Sequence, residues 1–201
     1  MPELQLRAAK QSEAADLAIL DNLASYGLSC EYWLSLSETR RSEEAFAIGR
    51  QRFADDNSIN GWKNAIVAVE SEVILGMSTC YINHASSGAN SSEGEDHKRL
   101  SPAFVPLFEL HDIADGHWYI DCLAVFPQAR GKRVGAMLMD DFIDRGKAQG
   151  FEHASLIVES GNKTARQLYE SRGFTTTETR PIVEFSSPYD SKEWLLLTAT
   201  L

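Results

Sequence analysis

Residues 126–140 read Phe-Pro-Gln-Ala-Arg-Gly-Lys-Arg-Val-Gly-Ala-Met-Leu-Met-Asp: two glycines four positions apart, three basic side chains, then an amphipathic run. A helix starting here exposes unpaired backbone amides and about half a positive charge at its N-terminus, which suits an anion. Gly131 and Gly135 would let a bulky diphosphate approach the backbone with no Cβ in the way. Arg130, Lys132 and Arg133 add positive charge. A phosphate-bearing ligand is the chemistry these residues favour; a plain helix start with basic side chains in water is the alternative. Two familiar phosphate motifs fail. Gly131-Lys132 is followed by Arg133, so the hydroxyl a P-loop needs for magnesium is missing, and the spacing GxxxG is not the dinucleotide fingerprint GxGxxG.

A second candidate is Asp121, set within the apolar run Trp-Tyr-Ile-Asp-Cys-Leu-Ala-Val-Phe of residues 118–126. A carboxylate inside a buried strand is costly unless it is used or paired, so Asp121 is either a general base or an acid bonded to nearby backbone or an arginine. Strand alternation places Tyr119, Asp121, Leu123 and Val125 on one side, and Trp118, Ile120, Cys122 and Ala124 on the other. Glu109 and His111 upstream, His117, and Glu159 at the end of the next strand are outlying acceptor-side candidates. His117 reads better as a structural histidine, and Cys122 as a small apolar group rather than a nucleophile. In residues 162–174, Ala165, Leu168 and Tyr169 share one helix face, Asn162 occupies the N-cap and Gly173 the exit.

These residues must be positioned by a framework, and the chain supplies one. Residues 3–8 alternate as a short strand, Ser12 can cap a helix running to about Ser25, and Gly27 ends it. Residues 28–60 are mixed, with a helix around 41–54. Strands at 64–70 and 73–82 are joined through Ser71 and Glu72 as a hairpin. Residues 84–101 are polar and rich in small residues, and read as an exposed, mobile loop. The segment after it carries Pro102 and Pro106, which suggests only short helical turns. A buried strand at 118–126, a helix from about Gly131 to Gln149, a strand at 153–159, a helix at 162–172 and closing strands at 175–185 and 194–201 complete the order. Strands leading into a strand–helix–strand–helix unit predict a single α/β domain, residues 1–201, with a sheet of mixed direction.

Composition narrows the function. The chain has 201 residues and a formal net charge of −10, which disfavours nucleic acid and steers cations inward. No apolar run approaches the roughly 20 residues of a membrane helix, and the N-terminus is not patterned as a secretory signal. Three scattered cysteines without a CxxC pair suit neither a disulfide framework nor a zinc site, so the expectation is a cytoplasmic protein without metal.

Leu123-Ala124-Val125-Phe126-Pro127-Gln128-Ala129-Arg130-Gly131-Lys132-Arg133-Val134-Gly135-Ala136 resembles the coenzyme loop of the GNAT family of acyl-CoA-dependent N-acyltransferases, [QR]-x-x-G-x-[GA] after a strand. Arg133 stands where that family has glycine or alanine. Asn162 through Phe174 is similar to the family's N-x-x-A-x-x-L-Y-x-x-x-G-F segment, one strand later. The resemblance implies a GNAT-like mixed sheet of about six or seven strands, flanked by about four helices and splayed at its central strands. It implies acetyl-CoA as co-substrate, held by residues 128–136, with backbone groups at Leu123, Ala124 and Val125 on the pantetheine arm. An amide near Leu123 or Ala124 would serve the thioester oxygen. Asn162 would bond the pantetheine or hold the loop, and Tyr169 would protonate or stabilise the leaving thiolate. The base would be Asp121, Tyr119, Glu109 or a water relay. Residues 29–62, with Tyr32, Trp33, Phe46, Phe53 and Trp62, would form much of the acceptor pocket, although the same aromatics suit an ordinary core. The expected reaction is acetyl transfer to a primary amine, on a small molecule or peptide, by direct attack in a ternary complex. The alternatives are a non-catalytic acyl-CoA-binding or sensing module, and nucleic-acid binding through the basic cluster. A homodimer through edge strands is open.

Overall fold

The computed structural model describes residues 3–39, 41–85, 101–186 and 188–201. The expected loop at 84–101 therefore lies almost entirely outside the described residues. Among the described residues, seven strands form one mixed sheet: β1 (Gln5–Ala8), β2 (Ala65–Glu70), β3 (Val73–Ile82), β4 (Trp118–Val125), β5 (His153–Glu159), β7 (Glu193–Thr200) and β6 (Thr175–Pro181), in that order of pairing. Among the described residues there are six α-helices: α1 (Ala14–Ala24), α2 (Leu28–Ser35), α3 (Ala45–Ala54), α4 (Val105–Ile113), α5 (Val134–Ala148) and α6 (Lys163–Glu170).

Two compact units share this chain, one within Met1–Tyr81 and Ile120–Arg145, the other within Ile82–Tyr119 and Gly146–Leu201. In the first, β1, β2 and β3 run antiparallel. The turn from β2 to β3 places Ser71 and Glu72 at φ 51° and 63°, the double positive-φ geometry that a twisted two-residue hairpin requires. One face of this unit buries Leu17, Ala18 and Leu20 of α1 against Val67, Met77, Cys122 and Ala124. Another cluster joins Ala68, Leu75, Ala129, Val134 and Leu138, with Leu123 and Val125 packed against it. Gly76 makes the approach of β3 to β4 feasible: a Cβ there would lie 2.5 Å from the Ala124 carbonyl oxygen.

In the second unit β5 pairs with β7 along its whole length, from His153↔Thr200 to Glu159↔Trp194, and β6 pairs with β7. β4 and β5 pair in parallel at Trp118↔Ala154 and Tyr119↔Ser155.

Three local expectations change. Ser12 does not cap α1; a short 3-10 turn over Gln11–Glu13 precedes the helix, and the Glu13 carboxylate accepts from the Lys10 amide at 2.8 Å. α2 is a full helix where the sequence looked mixed. α4 is a nine-residue helix rather than isolated turns, because Pro106 falls in its first turn, where no amide donor is needed.

Candidate active site

In the first unit the site begins at β4. Phe126 donates its amide to the Leu75 carbonyl at 2.9 Å, which fixes the end of the strand. A 3-10 turn over Pro127–Ala129 follows, and Gly131 (φ 80°) and Arg133 (φ 64°) both turn left-handed before α5. The first i→i−4 bond of α5 runs from the Met137 amide to the Arg133 carbonyl, 3.0 Å. The amides of Val134, Gly135 and Ala136 therefore lie ahead of the helical ladder, where a helix offers donors to an anion. Val134 and Ala129 are buried and anchor the turn, while Gln128, Arg130, Gly131, Lys132 and Arg133 are exposed. Lys132 is tied to Glu70, Nζ to Oε2 at 3.2 Å. An exposed pair of this kind is worth at most about 1 kcal/mol, so it leaves the lysine available to a stronger anion.

Asp121 is exposed, in contrast to the buried carboxylate expected from its apolar neighbours. Its two oxygens are held separately: Tyr81 donates its hydroxyl to Oδ1 at 3.0 Å, and Asn60 donates Nδ2 to Oδ2 at 2.9 Å. Neither partner is backbone or arginine, and neither was anticipated. They stand 40 and 61 residues away in sequence, a separation no local pattern encodes. Leu123 and Val125 are half-buried and Ala124 is buried. Cys122 is buried, and burial together with the charge of Asp21 raises its thiol pKa well above the ordinary value. A thiolate nucleophile is thereby disfavoured. Of the aromatics in the expected acceptor region, Trp33 and Phe53 are core, Phe46 is exposed, and Tyr32 and Trp62 are half-buried.

In the second unit Asn162 caps α6, its Oδ1 accepting from the Ala165 amide at 3.2 Å. Tyr169 is buried on that helix. Tyr119 is buried, with the His111 ring edge-on to it at 5.0 Å. Glu109 is engaged by Arg180, whose Nε donates to Oε2 at 2.7 Å. His117 shares a hydrogen bond with Ser155, which bonds on to Thr198, and faces the His153 ring at 5.2 Å. Burial and the neighbouring histidine pull the His117 pKa down, consistent with a structural imidazole. Glu159 is buried at the end of β5. The structure thus brings Asp121 together with Tyr81 and Asn60 in one unit, and places Tyr169 on α6 with Asn162 as that helix's cap in the other.

The sequence profile of the acetyltransferase (GNAT) family matches residues 28–174. A mycothiol acetyltransferase of Beutenbergia cavernae is 42% identical over 64 residues, 32% of this chain and 21% of that protein, so the chain spans about a fifth of its length. The crystal structure of an N-acetyltransferase from Staphylococcus aureus Mu50 is similar over 97% of this chain and 100% of that one, with TM-score 0.65 and 18% identity. The structure of yncA, a putative acetyltransferase from Salmonella typhimurium with its cofactor acetyl-CoA, is similar over 99% and 94%, with TM-score 0.56 and 17% identity. The chain belongs to the GNAT family of acetyltransferases. Its fold is the one those structures share.

Proposed function

We propose that the protein is an N-acetyltransferase that moves an acetyl group from acetyl-CoA to a primary amine, by direct attack in a ternary complex. The observation that carries this reading is the start of α5. The amides of Val134, Gly135 and Ala136 precede its ladder, in a turn that exposes Arg130, Gly131, Lys132 and Arg133. This arrangement fits a diphosphate, since three oriented donors and fixed partial charge meet side-chain cations with no Cβ at Gly131. Gln128 and Ala129 border the same turn, and Leu123, Ala124 and Val125 would receive the pantetheine.

The chemistry assigns roles to the rest. A free alkyl ammonium has a pKa of about 10.4 and must lose a proton before it attacks. Asp121 would take that proton, directly or through water, with Tyr81 and Asn60 fixing the direction of its two oxygens. An amide at Leu123 or Ala124 would donate to the oxygen that gains charge. Tyr169 would donate to the departing thiolate. A thiol pKa near 8.5 against about 10 for tyrosine makes a strengthening hydrogen bond cheaper than full proton transfer by about 2 kcal/mol. Asn162 would support the site by capping α6.

The test is release of free CoA thiol from acetyl-CoA over a panel of primary amines, repeated with Tyr169→Phe and Asp121→Asn. Turnover by either variant should fall tenfold or more while CoA affinity holds. Wild-type turnover in both would remove the assigned roles. Coenzyme binding without turnover on any amine would favour a non-catalytic acyl-CoA-sensing module instead.

A further inference from the structure

The turn between β5 and α6, residues 160–162, ends in the cap of the helix that carries Tyr169, and the chain leading into β7 holds it from outside. The Ser160 amide donates to the Glu193 carbonyl at 2.9 Å, and the Gly161 amide donates to Ser191 Oγ at 3.0 Å. The fit leaves no slack: a Cβ on Gly161 would lie 2.6 Å from the Tyr189 carbonyl oxygen and 2.7 Å from Ser191 Oγ. Asp190, directly before Ser191, has φ 51°. A left-handed backbone is costly for a residue other than glycine, least so for Asp and Asn, and such strain persists only where the surroundings impose it. Here it falls at the residue that sets the direction of Ser191. On the other side of the turn, the Asn162 amide donates to the Glu159 carbonyl at 3.0 Å, Asn162 Oδ1 caps α6, and Arg166 Nη1 donates back to the Ser160 carbonyl at 3.0 Å. α6 has eight residues, too few to be stable alone, so its direction is set by what grips its ends. The grip at its N-terminus is this braced turn. Tyr169 lies seven residues past Asn162, roughly 10 Å along the helix at about 1.5 Å per residue. A tilt of about 3° at the cap moves the ring by about 0.5 Å, the tolerance of a catalytic constellation, and a misplacement of about 1 Å costs about a hundredfold in rate.

We propose that Ser191 is a positioning residue for acetyl transfer: by holding the Gly161 amide, its hydroxyl fixes the turn from which α6 directs Tyr169 at the departing thiolate. This rests on the N-acetyl transfer reading and on the role given there to Tyr169. Ser191 acts through the main chain of Gly161 and takes no part in proton transfer or coenzyme binding. Its effect therefore falls on kcat.

The test measures kcat, KM for the amine and CoA affinity by calorimetry, with acetyl-CoA and the amine of the panel that the wild type turns over fastest. Ser191→Ala should lower kcat about tenfold, while KM and CoA affinity stay within about threefold of wild type. Ser191→Thr keeps the hydroxyl, and its kcat should stay within about threefold of wild type. Ser191→Val has the shape of the Thr variant without the hydroxyl and should be as slow as Ser191→Ala, which separates the hydrogen bond from bulk and from folding. In a Tyr169→Phe background Ser191→Ala should cost less than about twofold, because the group it positions is already gone. An unchanged kcat in Ser191→Ala, a Thr variant as slow as the Val variant, or the same loss with and without the Tyr169 hydroxyl overturns the positioning role and leaves the N-acetyl transfer reading intact. Wild-type turnover by Tyr169→Phe removes the role of Tyr169 and that of Ser191 with it. If the wild type acetylates no amine, the N-acetyl transfer reading itself falls and takes both roles with it.

Discussion

Arg133 offers a quantitative check on the coenzyme loop. It sits at φ 64° in the turn that opens α5, and a left-handed non-glycine residue costs about 1–2 kcal/mol. Arg133→Gly removes that strain but gives the unfolded chain more freedom, which returns about 0.4–1 kcal/mol. The net gain is about 0.5–1 kcal/mol. For a chain of 201 residues each kcal/mol moves Tm by about 2–4 °C, so Arg133→Gly should melt about 1–4 °C higher. Arg133→Ala keeps the strain and loses the same charge, so it should show no such gain. Both variants keep the amide at position 133 and those ahead of the α5 ladder, so CoA affinity should change by less than about tenfold in either, and equally. Calorimetric melting and titration with CoA read both quantities. An Arg133→Gly protein less stable than wild type, or an Ala variant that gains as much, would refute the strain argument. A loss of CoA affinity of a hundredfold would shift the binding role from backbone to side chain.

Other perturbations test other joints of the account. Gly76→Ala forces a Cβ to 2.5 Å from the Ala124 carbonyl oxygen and 3.1 Å from Val134 Cγ1; it should destabilise the protein by about 1–3 kcal/mol and weaken CoA binding, as melting and titration would show. Tyr81→Phe removes the donor to Asp121 Oδ1; kcat should fall several-fold with CoA affinity intact, and an unchanged kcat in steady-state assays would deny Tyr81 a positioning role. Burial raises the Asp21 pKa, so ionising it costs the folded state. That cost is absent below the unfolded carboxylate range, about pH 4, and grows as pH rises through the folded value. Asp21→Asn should therefore melt higher than wild type at pH 7, with the advantage gone near pH 4; a variant less stable at pH 7 would contradict this.

The elements that were legible in sequence were those with a local signature. The apolar runs of β4 and β5, the Ser71–Glu72 turn and the Asn162 cap each carry their geometry in neighbouring residues. α2 escaped because Gly27, read as the end of α1, is the N-cap of the next helix, while α1 itself ends at Ala24 with Ser25 as its C-cap. α4 was obscured by two prolines that mark its beginning rather than its break. The glycines and basic residues of 126–136 pointed to the proposed anion site, but nothing in their spacing showed that Arg133 would adopt a left-handed backbone. Asp121 was named for the wrong environment: its exposure and its bonds to Tyr81 and Asn60 arise from tertiary contacts.

The most direct measurement is calorimetric titration of the purified chain with CoA. The account predicts saturable one-to-one binding that survives removal of the Arg133 side chain, since main-chain donors at the start of α5 do the holding. Absence of any binding heat at millimolar CoA would contradict it.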